Sequence, residues 1–470
     1  MNELLNRDAV DLAAMIARRE ISAAELMEAT LARIDEVNPK LNAIVSQIDG
    51  EAAMDMARAA DRGPVKGPMH GLPLAIKDLA DAEGLPTTMG SPAYKDAGPA
   101  PKDDIMVARM RAAGALIIGK TNTPEFGLGS HTYNPVWGAT RNAWDSSKSA
   151  GGSSGGAAVA LTTGMMPIAD GSDMMGSLRN PAGWANIYGY RPSWGLVPSE
   201  PEGDAFLHQL STAGPMGRSP ADVAMTLTVQ AGHDPRQPHG RDLPDIEHLN
   251  ADLKGKRIGW LGDWGGGLPM DEGVLETCEA ALKVFDDLGC TVEKVAPPFQ
   301  LELIWDSWIT LRSWSNAASL AALYLEERTR DLMKPEAQWE TERGLKLSAM
   351  DVHRASVIRS RWFEKAASLF ESYDVLVLPT AQVWPFPVEW TWPKQIGGIT
   401  MDTYHRWMEV VVPAGLIGLP CLAVPAGFGA AGLPIGLQLV GRRGSDVALL
   451  QMGQGWHNAA PWVHLRPEAT

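Results

Sequence analysis

Cysteine is scarce in this chain: Cys278, Cys290 and Cys421 are the three present in 470 residues, far apart and with no CxxC spacing. That arithmetic argues against a disulfide framework, and a reducing compartment is the natural reading. Basic residues are in deficit, 41 Lys and Arg against 56 Asp and Glu, for a formal net charge of −15. A surface that tracks phosphates needs a basic stripe, so no nucleic-acid partner is expected. The first twenty residues lack the basic start and unbroken apolar stretch of a secretory signal. One charge-free stretch, Val410 to Val440, invites a membrane reading. It is cut by Pro413, Pro420, Pro425 and Pro434 and by repeated glycines, which suits buried strands joined by tight turns. No membrane association and a cytoplasmic location are therefore expected. Metal-ligand spacing is also missing: His208, His233, His239 and His248 read as solvated loop histidines, and neither metal nor cofactor is expected.

What is present is ordinary globular usage, 45% hydrophobic and 21% charged, which excludes intrinsic disorder and leaves ample chain for a core. Length fits two or three domains or one large α/β unit, no clean linker defines a boundary, and alternating helix and strand signals predict an α/β fold with a largely buried sheet. Residues 1–62 read as helices, and Ser22-Ala-Ala-Glu25 has capping-box form before a helix expected to stop near Asn38-Pro39. Helix and strand signals alternate through 71–198: Asp103 to Ala113 is helical, Gly114 closes it, and Ala115 to Ile118 is a strand. Residues 200–250 are rich in Pro, Asp, Gly and His and predict surface loops. Residues 300–370 read as a helical region bearing Trp305, Trp308, Trp314, Trp339 and Trp362. Lys256 to Leu261 and Asp374 to Leu378 are strand candidates, the second opening a C-terminal part, 374–465, that completes the sheet and the pocket.

One motif is misleading. Gly114-Ala-Leu-Ile-Ile-Gly119-Lys120-Thr121 matches the phosphate-loop pattern GxxxxGK[ST]. That loop needs a strand before its first glycine and a helix at its Lys-Thr. Here a helix precedes Gly114, strand formers fill the loop, and Pro124 biases Thr123 away from helix. Nucleotide binding is rejected.

Three features carry chemistry together. Lys77 ends the apolar run Gly71-Leu-Pro-Leu-Ala-Ile-Lys77, Ser153 lies inside Gly151-Gly-Ser-Ser-Gly-Gly156, and Ser177 lies inside Gly171-Ser-Asp-Met-Met-Gly-Ser177-Leu-Arg-Asn-Pro-Ala182. Singly, each has a bland reading: a solvated or ion-paired lysine, a flexible glycine turn, a residue at a helix start. Jointly, the blocks resemble the amidase signature family, most clearly from about Gly71 to Pro198 and more weakly at Asp374 to Thr380 and Gly432 to Gln438. The resemblance implies a single α/β domain over residues 1–470, with a mixed, mostly buried sheet flanked by helices, and amide hydrolysis by a triad of Lys77, Ser153 and Ser177, with the Gly152–Ser153 peptide bond in cis. It places an oxyanion hole at the backbone N–H groups of Met174, Met175, Gly176 and Ser177. Met175 departs from the family, which usually has glycine there. Asp173 and Arg179 read as structural, tying the nucleophile loop down.

The chemistry explains why these residue types are needed. A serine hydroxyl must lose its proton to a base before it attacks well. A lysine serves only when neutral, which its reference pKa of about 10.4 forbids in water but burial permits. Ser153 would relay the Ser177 proton to Lys77 and return it to the leaving nitrogen, a Ser–Lys variation on the serine triad.

The expected partner is a small-molecule amide. Resemblance puts the pocket near Phe126 and the C-terminal third, where Trp384 to Trp392 and Tyr404 to Trp407 concentrate aromatic residues. With Phe126, Trp384 and Trp407 as a pocket wall, a hydrophobic or aryl carboxamide or anilide is expected. The same segment also reads as a packed loop or as a subunit contact, and in the last case the partner is a second copy in a homodimer. Two alternatives stand beside hydrolysis: the A subunit of a tRNA-dependent amidotransferase, acting as a glutaminase, and an inactive binding scaffold.

Overall fold

The computed structural model describes residues 3–201 and 203–468. Helix α1 (Ala9–Ala17) turns Ala9, Leu12 and Ile16 inward. Helix α2 (Ala23–Leu41) opens on a capping box: the Ser22 hydroxyl accepts from the Glu25 N–H, and the Glu25 carboxylate accepts from the Ser22 N–H. It runs past Asn38-Pro39, where the sequence reading stops it. Proline in the last turn forfeits little, and Asn42, at φ 53°, closes the helix by donating its N–H to the Asn38 carbonyl at 2.8 Å. Helix α3 (Gly50–Arg62) follows.

A small sheet comes next, with strands β1 (Ile44–Gln47), β2 (Pro73–Lys77) and β3 (Leu116–Thr121) in the order β1-β3-β2. Strands β2 and β3 are parallel, and helix α4 (Ile105–Ala112) lies between them in the chain. Every residue of β2 is buried, which is why its sequence is apolar on both faces until Lys77. The segment rejected as a phosphate loop contains β3. The Lys120 ammonium there donates to the Ala80 carbonyl at 2.5 Å and the Thr87 hydroxyl at 2.9 Å.

The main sheet among the described residues has eight strands: β4 (Ala169–Asp173), β5 (Tyr188–Arg191), β6 (Thr212–Gly217), β7 (Arg257–Trp260), β8 (Thr291–Lys294), β9 (Val375–Pro379), β10 (Cys421–Phe428) and β11 (Pro434–Val440). Their order is β8-β7-β9-β11-β10-β5-β6-β4. Strand β7 pairs in parallel with β8 and β9, and the other pairs are antiparallel, so the sheet is mixed as expected. The charge-free stretch from Val410 supplies the buried strands β10 and β11, and no helix among the described residues is long and apolar enough to cross a membrane. Helices α5 (Gly155–Thr162), α6 (Arg179–Ala185) and α7 (Pro220–Gln230) flank the sheet, while α8 (Leu301–Leu325) packs on α9 (Pro335–Leu345) and α10 (Ala349–Leu369).

One expectation needs correction. Within 200–250, read as surface loops, residues 212–230 form β6 and α7. The β6 sequence, Thr-Ala-Gly-Pro-Met-Gly, has poor strand propensity; pairing with β4 on one side and β5 on the other overrides it.

Candidate active site

Strand β2 delivers Lys77 to the edge strand β4, where the Lys77 backbone N–H donates to the Asp170 carboxylate at 3.0 Å. The Lys77 side chain is 1% exposed. Its nitrogen lies 2.8 Å from the Ser153 hydroxyl, 2.8 Å from the Ser154 hydroxyl and 3.1 Å from the Ser172 hydroxyl. Among the described residues, no carboxylate touches that nitrogen. Burial pushes the amine down to about 7, against the weaker opposite pull of Asp170 and Asp173. A neutral amine has two N–H donors and one lone pair, which three hydroxyls can satisfy if one of them donates. Ser154 and Ser172 went unassigned in the sequence, although both lie within the two quoted blocks.

The glycine–serine block is buried throughout and clamped, unlike a flexible linker. The Thr132 hydroxyl donates to the Gly151 carbonyl at 2.8 Å and accepts from the Gly155 N–H at 3.2 Å. Asn180 accepts from the Gly152 N–H at 3.2 Å, and Ser149 accepts from the Gly151 N–H at 3.1 Å. The Gly152–Ser153 bond is cis. Gly155 and Gly156 are required by space: a Cβ there would fall 2.3 Å from the Thr132 hydroxyl and 2.4 Å from the Asn122 backbone nitrogen respectively.

The loop carrying Ser177 hangs on Asp173. Its carboxylate meets the Arg179 guanidinium twice, at 3.0 Å each, and Arg191 at 3.3 Å, all three side chains being fully buried. The same carboxylate accepts from the backbone N–H groups of Gly176 at 2.9 Å and Leu178 at 3.2 Å. Burial opposes the charge of Asp173, yet the two guanidiniums hold its carboxyl well below the usual range. This geometry corrects the oxyanion-hole expectation at Gly176, whose N–H is already committed to Asp173. The N–H groups of Met174, Met175 and Ser177 have no acceptor among the described residues. Gly176 contributes conformation instead: its φ is +81°, and a Cβ would fall 2.9 Å from a Val411 methyl. Asp173→Asn leaves two buried guanidiniums short of their counter-charge, and a loss of about 3–5 kcal/mol in urea unfolding is expected. The exposed control Asp55→Asn should shift stability by less than about 0.5 kcal/mol. A small loss for Asp173→Asn would show that the ion cluster does not hold the loop.

Ser153 and Ser177 line one cavity of about 90 Å³, together with Ser172, Met174, Met175 and Phe126. Phe126 is thus where the sequence put it. Trp384 and Trp407 are not. Trp407 is core, stacked on Trp184 at 5.9 Å and edge-on to Phe386, with its indole N–H donated to the Tyr404 carbonyl. Trp384 donates to the Glu272 carbonyl and covers Gly429. Prolines around these tryptophans fold the segment against the domain rather than into the cavity. Arg312, Asn316 and His405 also line the cavity. The first two lie on α8, in a region whose sequence shows only helical periodicity, and their contacts come from residues distant in the chain.

Residues 25–450 match the family profile for Amidase. The chain is 34% identical over 477 residues to an acylamidase of Rhodococcus erythropolis, covering 98% of this chain and 96% of that one. It is 33% identical over 486 residues to the A subunit of the glutamyl-tRNA(Gln) amidotransferase of Chloroflexus aggregans, covering 96% of each. Among solved structures, a bacterial aryl acylamidase described as an amidase signature enzyme superposes with a TM-score of 0.91 at 30% identity, over 98% of this chain and 99% of that one.

Proposed function

The chain belongs to the amidase signature family and hydrolyses amide C–N bonds, and from that premise we propose that it does so through an acyl-enzyme on Ser177. In this reading the Ser177 proton passes to the Ser153 oxygen as the Ser153 proton passes to the Lys77 nitrogen, and the Ser177 oxygen bonds to the carbonyl carbon. The backbone N–H groups of Met174, Met175 and Ser177 receive the developing oxyanion; such a donor is typically worth about 3–4 kcal/mol. Collapse breaks the C–N bond while the proton returns from Lys77, through Ser153, to the departing nitrogen. Water then repeats the sequence on the ester and frees the acid. The observation that carries this reading is the buried Lys77 nitrogen, 2.8 Å from the Ser153 hydroxyl and free of any carboxylate contact among the described residues.

The proposed substrates are hydrophobic or aryl carboxamides and anilides. The acylamidase and aryl acylamidase likenesses support this class, and Leu79, Phe126, Leu128, Met174 and Met175 around the serines give the carbon chain of an acyl group apolar walls. The likeness to an amidotransferase component raises glutamine as a rival. Proteins of that kind usually carry an LGTY-type segment, and Leu345-Lys-Leu-Ser-Ala-Met-Asp351 lacks that form. Purified protein should hydrolyse acetanilide and its ring-substituted analogues with kcat/KM at least about 10-fold above that for acetamide or L-glutamine, a difference of about 1.4 kcal/mol in transition-state binding. Activity confined to glutamine or to small polar amides overturns the substrate class.

A further inference from the structure

The serine cavity has a polar wall for which amide hydrolysis alone gives no reason. Arg312 and Asn316 sit four residues apart on the buried face of α8, so both side chains reach the same side. Arg312 is 4% exposed and rigidly held. Its Nε donates to the Glu340 carboxylate at 2.6 Å and its Nη2 to the Tyr404 hydroxyl at 2.9 Å. Glu340 also accepts from the Ser313 hydroxyl and the Tyr404 hydroxyl, each at 2.9 Å. The remaining nitrogen, Nη1, has one hydrogen-bond partner among the described residues, the Met174 sulfur at 3.1 Å. A thioether is a weak acceptor on a flexible stem, easily swung aside by a better one. Asn316 is 8% exposed, and its side-chain nitrogen is buried with no partner among the described residues. The Asn316 amide nitrogen is unmet and Arg312 Nη1 has a weak acceptor, so each would gain from a better acceptor oxygen offered in the cavity.

We infer that Arg312 Nη1 and the Asn316 amide form a donor subsite, and that the preferred substrate is an anilide whose short acyl chain carries a neutral acceptor oxygen. This rests on the hydrolase reading above and adds to it which end of the substrate enters the cavity. A cavity of about 90 Å³ is smaller than the roughly 150 Å³ that accommodates a benzene ring. The aryl group therefore stays on the amine side, outside, and the acyl chain goes in. The acceptor is neutral because the Arg312 charge is already matched by Glu340. His405, with Nδ1 2.9 Å from the Thr403 hydroxyl and Nε2 3.4 Å from Glu340, is buried in the same wall. A substrate carboxylate would leave this dry cluster with a net negative charge, which is costly to bury.

Three anilides of matched chain length separate the options: N-phenylbutanediamide with a terminal carboxamide, 4-methylpentananilide with an isosteric apolar end, and the anion of succinic monoanilide. Their affinities are measured by calorimetry on the Ser177→Ala protein, which binds without turnover. The carboxamide should bind at least about 10-fold more tightly than the apolar analogue. With Asn316→Leu added, that advantage should shrink to less than about 3-fold while binding of the apolar analogue persists. The melting temperature should hold or rise, because an unpaired buried amide is exchanged for hydrocarbon of like shape. Arg312→Met, which leaves Glu340 uncompensated, serves as a second variant where it folds. The inference is overturned if the apolar analogue binds equally or better, if the anion binds best, if the preference survives Asn316→Leu, or if none of the three binds. Acetanilide turnover by the unmodified protein reports separately on the hydrolase reading, so the two can fail independently.

Discussion

Alanine at position 177 is expected to leave a folded protein whose kcat on aryl amides falls on the order of 10⁴–10⁶-fold, the range seen when a serine hydrolase loses its nucleophile. The expected fold is unperturbed because the loop is held by groups other than this hydroxyl. Asp173 fixes the Gly176 and Leu178 N–H groups, and the Ser177 carbonyl keeps its bond from the Ser154 N–H at 3.3 Å. The backbone donors of Met174, Met175 and Ser177 persist in the variant, so a residual rate above water is anticipated from orientation and oxyanion stabilisation alone. Aniline release measured against a melting curve separates loss of chemistry from loss of structure. A fluorophosphonate probe adds an independent readout: the parent protein should be labelled and the variant should not. Turnover within about 100-fold of the parent, or labelling that survives the substitution, removes Ser177 as the nucleophile.

Position in the sequence foretold some of this site and hid the rest, for identifiable reasons. Lys77, Ser153 and Ser177 are legible through the joint spacing of their three blocks and the family resemblance those blocks carry, since singly each reads as an ordinary lysine or serine. Ser154 and Ser172 were readable as neighbours but not as partners of Lys77, since sequence spacing does not say which of two adjacent hydroxyls faces a nitrogen brought from β2. The Gly176 N–H was misassigned because its acceptor, the Asp173 carboxylate, is three residues back in a turn whose geometry only the fold defines. Trp384 and Trp407 drew attention by composition, yet large aromatic rings in a proline-broken segment are as suited to closing a core, and Trp407 does so against Trp184 and Phe386. The strand β6 failed the propensity test and formed anyway between two partners. Arg312 was invisible for the opposite reason: its helix is periodic and regular, and its meaning comes from Glu340 and Tyr404, on other elements.

Lys77→Met tests whether the amine is neutral, which every proton transfer above requires. In the parent protein kcat/KM should rise with pH through about 7 and then level, because the protonated amine cannot accept from Ser153. The variant should lose activity by at least about 10³-fold across that range, since no other base among the described residues touches Ser153. Stability should move in the contrary direction. The amine titrates at about 7 in the fold and at about 10.4 when unfolded, so between those values the unfolded chain binds the extra proton. Unfolding free energy then increases with pH over this window, and the part due to Lys77 amounts to on the order of 4 kcal/mol. The penalty is fully present below about pH 7 and gone above about pH 10; Lys77→Met lacks it throughout. The variant should therefore be more stable relative to the parent near neutral pH, with the difference shrinking as the buffer becomes alkaline. Asp170, pushed up to about 6 chiefly by burial, titrates below that window, is already ionised throughout it, and does not reverse the sign. Urea titrations of both proteins at pH 7, 8.5 and 10 measure the convergence. A constant gap would mean that the amine keeps its charge inside the fold, with no lone pair to draw the proton from the serine it touches.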